Sequence, residues 1–362
     1  MSNSQRWSFV PCAIAATLFT VSCNDHGSSG SLSGDAGQAA GSQCAPLAGP
    51  TNLLQAALPA SDAYSGIASD GQYVYFAGIS SLYRVPISGG RAERVYTGTF
   101  GGVFAATRGT VAWVSGAAGS ATGLTVKNAG GVRAVALPGG AMLPWGSILV
   151  DADADVWFEL DSASGGRSHT WRWRSTTASV AEMPAVGMPD TGGGTNLYFA
   201  DRGQIIWSNN ATGPSSGVYA TDVSTGTVHH IVGAGTKGFG SLIGLDATNV
   251  YGVASICPSG ACPFTVYGVA RAGGTPFVAY ETADAYWTNG LQADASGLYW
   301  IDLESKSIYH AALSKGAPVK LVVKLSSAPG SSVPAQFALD ACNLYWIEFD
   351  PTHAPRIMAI AK

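Results

Sequence analysis

One short phrase recurs seven times along this chain, and few folds can accommodate it. It reads apolar-x-apolar-Asp, three residues, then an apolar-aromatic pair. The copies are "IASDGQYVYF", "AATRGTVAW", "ILVDADADVWF", "YFADRGQIIW", "IGLDATNVYG", "LQADASGLYW" and "FALDACNLYW". The marker positions are Asp70, Thr107, Asp151, Asp201, Asp246, Asp294 and Asp340. From Asp70 to Asp340 is 340 − 70 = 270 residues over six steps, a mean period of 45.

After each marker comes a second apolar run and, in several copies, a Gly-Gly or Lys-Gly turn, as in "LYRVPISGGRAERVY" and "IYHAALSKGAPVKLV". Each unit therefore holds four short alternating strands separated by turn residues. Four strands at a period near 45 match the blades of a β-propeller. No long 3.6-residue apolar stripe argues for helical pairs. The marker Asp ends the innermost strand, where its carboxylate can accept a hydrogen bond from a backbone N–H two residues on. Gly297, Asn249 and Asn343, each three residues after its Asp, suit a turn position with φ > 0. The aromatics that follow belong to the second strand and pack between blades. Turn chemistry explains every copy, so the markers do not read as catalytic.

The expected fold is all-β: a seven-bladed propeller of four-stranded antiparallel blades spanning residues 44–362. The last copy stops at its third strand, "RIMAIAK", while "LAGPTNLLQAAL" (Leu47–Leu58) resembles the fourth strands of other units. The N-terminal segment is therefore expected to complete the last blade and leave no long inner edge unpaired.

Of 362 residues only 12% are charged and 46% are apolar, and 47 are glycine. This suits a turn-rich β-protein and argues against disorder. Net charge is −4 and no basic stripe is present, so no nucleic-acid partner is expected. Residues 1–22 read as an export signal, with Arg6 ahead of an apolar run, Phe9–Val21, too short to span a bilayer. Thr20-Val21-Ser22-Cys23 resembles the lipobox of bacterial lipoproteins, with Thr20 where Leu is usual. That resemblance implies acylation of Cys23 and an envelope location, outer membrane or periplasmic face, with membrane contact through the lipid alone. Residues 23–43 are Gly/Ser-rich and read as a flexible tether.

The segment "DASGLYWIDLESKSIYHAALSKGAPVKLV" is similar to the repeat of YWTD- and NHL-type propellers. The whole set resembles secreted bacterial propeller lipoproteins with "D-x-x-x-V-Y-W … GG" blades. Only the Asp294 copy carries a full Tyr-Trp-x-Asp, at Tyr299, Trp300 and Asp302. YWTD domains have six blades, against seven copies here. The resemblance implies a fold, and function must be read from the site.

Six cysteines are present. Cys12 lies in the signal and Cys23 at the lipid site, which leaves Cys44, Cys257, Cys262 and Cys342 and three connectivities. "CPSGAC" places Cys257 and Cys262 on one hairpin, and Cys44 then falls to Cys342, across the expected seam of the ring. Export permits both bonds. A bond closing nearly the whole domain gains roughly 4–5 kcal/mol in the chain-entropy model.

Propellers bind ligands at the mouth of the central channel, and propeller enzymes such as lactonases and streptogramin-lyase-like proteins place Asp, Glu, Asn or His there. The first strands here contain no Asp, Glu or His before the marker; Gln292 and Gln336 supply the polar side chains. That set lacks the convergent titratable groups that acid–base or metal catalysis needs. Five aromatics, Tyr64, Phe100, Trp145, Phe239 and Trp287, lie six or seven residues before a marker. They are candidates to ring the channel mouth and stack a ligand, or else to pack between blades. Asp151, Asp153 and Asp155 resemble the opening of a calcium loop, although Val156 and Ser162 replace the Gly and Glu that an EF-hand requires. Calcium is the one cofactor suggested, with a solvated turn as the other reading. His229-His230 is a poor metal pair, since neighbours on a strand face opposite sides. The expectation is a monomeric envelope-anchored binding module for a protein, peptide or glycan. The alternative is a metal-dependent propeller lyase or lactonase.

Overall fold

The computed structural model describes residues 47–362 apart from 48, 59–63, 65, 79, 99, 116–122, 139–147, 162–167, 184–194, 210–216, 234–235, 237–238, 240, 254–262, 287, 326–335 and 351–352. A two-residue strand, β1 (Thr51–Asn52), precedes blade 1, which is β2 (Gly66–Ser69), β3 (Tyr73–Ala77), β4 (Ser81–Pro86) and β5 (Glu93–Thr97). Blade 2 is β6 (Phe100–Thr107), β7 (Thr110–Ser115), β8 (Gly123–Asn128) and β9 (Gly131–Val135). Blade 3 is β10 (Ile148–Val150), β11 (Val156–Asp161), β12 (Ser168–Arg174) and β13 (Ser179–Glu182). Blade 4 is β14 (Thr195–Asp201), β15 (Gln204–Asn209), β16 (Gly217–Asp222) and β17 (Val228–Gly233). Blade 5 is β18 (Ser241–Leu245), β19 (Asn249–Val253), β20 (Thr265–Ala270) and β21 (Phe277–Glu281). Blade 6 is β22 (Thr288–Asp294), β23 (Gly297–Asp302), β24 (Ser307–Ala311) and β25 (Lys320–Lys324). Blade 7 is β26 (Phe337–Leu339), β27 (Asn343–Asp350) and β28 (His353–Ala361), completed by β1. No α-helix occurs among the described residues.

Strands within each blade pair antiparallel in chain order, as the alternating pattern requires. Blades 5 and 6 are further joined at their inner strands, where β18 and β22 pair in parallel through Gly244 and Ala293. A Cβ on Gly244 would stand 1.8 Å from the Ala293 carbonyl oxygen, so this close approach requires glycine.

Because alternate residues face opposite sides of a strand, the second strand of a blade packs against both neighbouring blades. Trp113, Trp300 and Trp346 sit at one repeat position, facing the preceding blade, and are fully buried; Trp157 is equally buried but faces the next blade. Seven apolar clusters result, each at a different blade interface. Tyr75 and Phe104 meet between blades 1 and 2, Trp157 and Trp207 between 3 and 4, and Tyr280 and Trp300 between 5 and 6. The cluster of Leu53, Phe76 and Tyr345 lies between blades 7 and 1, so the ring is closed. Each buried aromatic is worth about 1.5–3 kcal/mol of transfer free energy.

The closing strand is shorter than its sequence resemblance suggests. Thr51 and Asn52 pair with Ala359 and Met358, and the Leu53 amide donates to the Ile357 carbonyl at 2.8 Å. The leucines that follow do not continue the ladder. Leu53, Leu54 and Leu58 are buried in the blade 7–1 cluster. The backbone crosses to blade 1, where Gly90 N donates to Leu53 O (2.8 Å) and Gln55 N to Gly90 O (2.9 Å). Burial of the leucine side chains against two blades outweighs extension of the strand.

Candidate functional site

The molecule has two faces, set by strand direction. Each first strand runs down to its marker turn, and the turns between third and fourth strands lie on that same side. Ile87 N donates to Gln72 O, Val223 N to Gly203 O and Arg271 N to Thr248 O, all within 3.0 Å. This is the marker-turn face. The opposite, mouth face carries the connections into the first strands.

On the marker-turn face the carboxylates behave as the sequence suggests and do more. Oδ1 of Asp70 accepts from Gln72 N and Tyr73 N (2.8 and 2.7 Å), Asp246 from Thr248 N and Asn249 N (both 2.7 Å), and Asp340 from Cys342 N and Asn343 N (both 2.8 Å). In each of these turns Oδ2 then accepts from the hydroxyl of a tyrosine five residues on: Tyr75 at 2.9 Å, Tyr251 at 2.5 Å and Tyr345 at 2.6 Å. Burial, followed by the adjacent carboxylate, holds all three phenols well above the usual tyrosine range. Asp151 instead accepts from Trp157 Nε1 at 2.8 Å, one residue further on because its turn is longer, with Ala154 left-handed at φ 63°. Asn249 and Asn343 do not take left-handed conformations, against the sequence expectation. They start second strands, and their amides reach Tyr251 and Tyr345 hydroxyls at 3.4 and 3.2 Å.

Other marker carboxylates reach neighbouring blades. Asp201 and Asp294 form ion pairs with Arg271 of blade 5 and Lys362 at the end of blade 7. Asp70 also accepts from Gly109 N of blade 2 at 3.1 Å, which lies in the one marker turn that has Thr107 in place of Asp. Ser69 donates to Asp340 at 3.5 Å across the seam, and Gln292 Nε2 donates to Phe337 O at 2.7 Å. The polar groups of this face are thus engaged in holding the ring.

The five aromatic candidates do not assemble into an open ring among the described residues. Tyr64 is buried, its ring 5.8 Å from Phe76 and 6.0 Å from Tyr83, so it packs the blade 7–1 seam instead of facing the channel. Phe239 is half-buried against the blade 4–5 cluster. The backbone of Phe100 pairs with Ser115. Trp145, Trp287 and the side chain of Phe100 lie outside the described residues, as do Cys23, Cys44, Cys257 and Cys262. Cys342 is disulfide-bonded, to a partner outside the described residues.

The acidic run does not form a cation cage. Asp151 is occupied by Asp153 N and Asp155 N (both 2.9 Å) and by Trp157. Asp155 is buried against Arg172 (2.5 Å) and Ser175 N (2.7 Å), while Asp153 points to solvent. The carboxylates diverge because two of them are ordering a turn and a neighbouring strand. No group of three His, Cys, Asp or Glu residues able to hold a metal occurs among the described residues. His230 lies 5.0 Å from the Tyr219 ring, and His229 does not join it.

Sequence reasoning restricted to first strands overlooked acids on the second strands. Glu159, Asp302 and Glu348, each eight residues after its marker, are buried toward the mouth end. Glu348 pairs with Arg356 at 2.6 Å and accepts from Trp346 Nε1 at 3.2 Å; Asp302 accepts from Ser305 N at 2.9 Å. Glu159 lies where its charge acts on Tyr198 of blade 4. Burial raises the Tyr198 phenol, a hydrogen bond with Ser208 lowers it in part, and the Glu159 charge raises it again. The common spacing from the marker was the available signal.

These features define a β-propeller. The structure is similar to the oligogalacturonate lyase of Vibrio parahaemolyticus, with TM-score 0.61, 10% identity, 86% of this chain and 93% of that chain covered. It is also similar to an inactive H270A virginiamycin B lyase of Staphylococcus aureus solved with quinupristin (0.56, 12%, 86% and 98%). A third is the β-propeller domain of the Trilobed protease from Pyrococcus furiosus, which has an open velcro topology (0.51, 9%, 83% and 95%). At such identities the likeness is one of fold. No family model matches the chain, and no curated protein matches it in sequence.

Proposed function

We propose that this propeller is an exported, lipid-anchored module that binds a protein, peptide or glycan ligand at its mouth face. One observation carries the reading: the six marker carboxylates of the opposite face are all bonded within the ring, leaving the mouth face as the surface for recognition. The anchor is Cys23, and the second covalent tie is a Cys44–Cys342 bond. Cys342 is already bonded, and Cys44 lies seven residues before Thr51, on the segment that enters the same blade. A thermal-shift screen of the purified protein against glycans, peptides, divalent metals and chelator tests this. A ligand at 100 times its Kd stabilises by about 2.7 kcal/mol. Stabilisation by a glycan or peptide with no response to chelator is expected; destabilisation by chelator would sink the binding reading.

A second reading, a propeller enzyme, is favoured by the buried Glu159, whose charge acts on Tyr198 of the next blade, itself hydrogen-bonded to Ser208. Turnover of any ligand found in the screen, lost in Glu159→Gln with its affinity retained, would establish it.

A further inference from the structure

The register of the closing strand fixes the side from which the N-terminal segment reaches the ring. β28 ends at the marker-turn face, where Lys362 N donates to Cys342 O at 2.9 Å. β1 runs antiparallel to it, Thr51 opposite Ala359 and Asn52 opposite Met358. The chain therefore enters β1 from the marker-turn side of blade 7. Cys342 lies in the marker turn of that blade, between its two innermost strands, whereas β1 is its outermost strand.

We propose that the propeller stands on its marker-turn face, turned toward the bilayer, and presents its mouth face outward to a soluble or surface-borne ligand. This rests on the anchoring reading above. The Cys44–Cys342 bond sharpens it, because it moves the point of attachment from the rim of the ring to the turn beside the channel axis. The 20 residues Asn24–Gln43 have a root-mean-square reach of about 25 Å as a Gly/Ser-rich chain. A domain of this size is about 50 Å across, from a radius of gyration of about 20 Å. A leash of that length held near the axis keeps the mouth face from the bilayer; held at the rim, it lets the ring tip over. Orientation here is set by the point of attachment.

The test compares opposite ends of one blade. A fluorophore is attached through a genetically encoded clickable side chain at residue 295, in the blade 6 marker turn, or at residue 304, in its mouth-side turn; both positions are exposed. The acylated full-length protein is reconstituted on phosphatidylethanolamine–phosphatidylglycerol vesicles doped with nitroxide-headgroup lipid. Quenching at 295 is expected to exceed that at 304 several-fold, and the ratio to fall toward one when Cys44→Ser and Cys342→Ser are combined. Equal or reversed quenching in the unmodified chain overturns the proposal. Flotation reports anchoring separately. If the protein fails to float, the anchoring reading fails, and the same pair of probes is read with Cys23→Ala protein held by an N-terminal hexahistidine on nickel-chelating vesicles. There, too, equal or reversed quenching overturns the orientation.

Discussion

The marker turns of blades 7 and 4 use the same residue in different ways. Asp340 is satisfied almost entirely from its own blade, by two amides and the Tyr345 phenol. Asp201 closes a turn whose left-handed positions are Arg202 (φ 50°) and Gly203 (φ 73°), and its carboxylate is committed to Arg271, a residue of the next blade that also holds Asp201 O at 3.1 Å and Gln204 at 3.0 Å. One turn is mostly a local device, with a single long contact to Ser69 of blade 1, and the other is a rivet between units. In blade 4 the position five residues on is Ile206, so no phenol is available. The repeat thus conserves a carboxylate while the partner changes, and the partner decides whether the turn serves its blade or the seam.

The largest effect should come from the rivet. Arg271→Met leaves the buried Asp201 charge, 5% exposed, with only the exposed Arg202 at 3.8 Å, and breaking such a buried pair costs up to about 3–5 kcal/mol. Adding Asp201→Leu should recover much of that loss in urea melts; a neutral single variant would make the seam reading untenable. Tyr345→Phe removes one hydroxyl from a mostly local turn and should cost about 1–2 kcal/mol, with little loosening of the blade 7–1 seam that Ser69 reaches across. Hydrogen exchange localised to the blade 7 turn, not spread across its neighbours, checks that distinction.

The smallest effects are in pH dependence, and their signs differ between turns. Burial pulls Asp246 upward, but hydrogen bonds from Tyr251, Thr248 and Asn249 outweigh it and hold the carboxyl below its ordinary value. Its stabilisation is complete above the unfolded pKa of about 3.9 and is lost as pH falls through the folded value. Asp151 is raised, because burial outweighs the bonds from Trp157 and the turn amides. The fold therefore gains from its protonation as pH falls. Denaturant midpoints measured from pH 6 to 3 should fall less steeply in Asp246→Asn than in the natural chain, and more steeply in Asp151→Asn.

Much of the architecture was legible because three requirements coincide at the markers: a turn-forming carboxylate in six of the seven, with Thr107 in the other, small turn residues and a buried aromatic. Seven coincidences spaced near 45 residues leave little choice of fold. The supplementary strand could be found because its neighbour lacked one, yet its extent could not. Leu53, Leu54 and Leu58 look like strand residues and are in fact a wedge between blades. The tyrosine bonds were visible as a five-residue spacing but carried no meaning until the strands were placed. The pairing of Asp201 with Arg271 spans 70 residues and leaves no local pattern. Tyr64 illustrates the same limit at the mouth, where spacing alone cannot separate a ring that stacks a ligand from one that packs on Phe76.

The two-residue length of β1 also has a consequence in time. Its partners, Ala359 and Met358, are made about 300 residues later, an interval of about 15–60 s at a synthesis rate of about 5–20 residues per second. Blades 1 to 6 draw on contiguous chain and can assemble as they appear, whereas the clasp must wait until Ala359 and Met358 have emerged. A stub this short offers little sticky edge during the delay, and its leucines can shelter on blade 1 through the Gly90 contacts until the last blade arrives. Brevity at the clasp is thus suited to a ring that is born open.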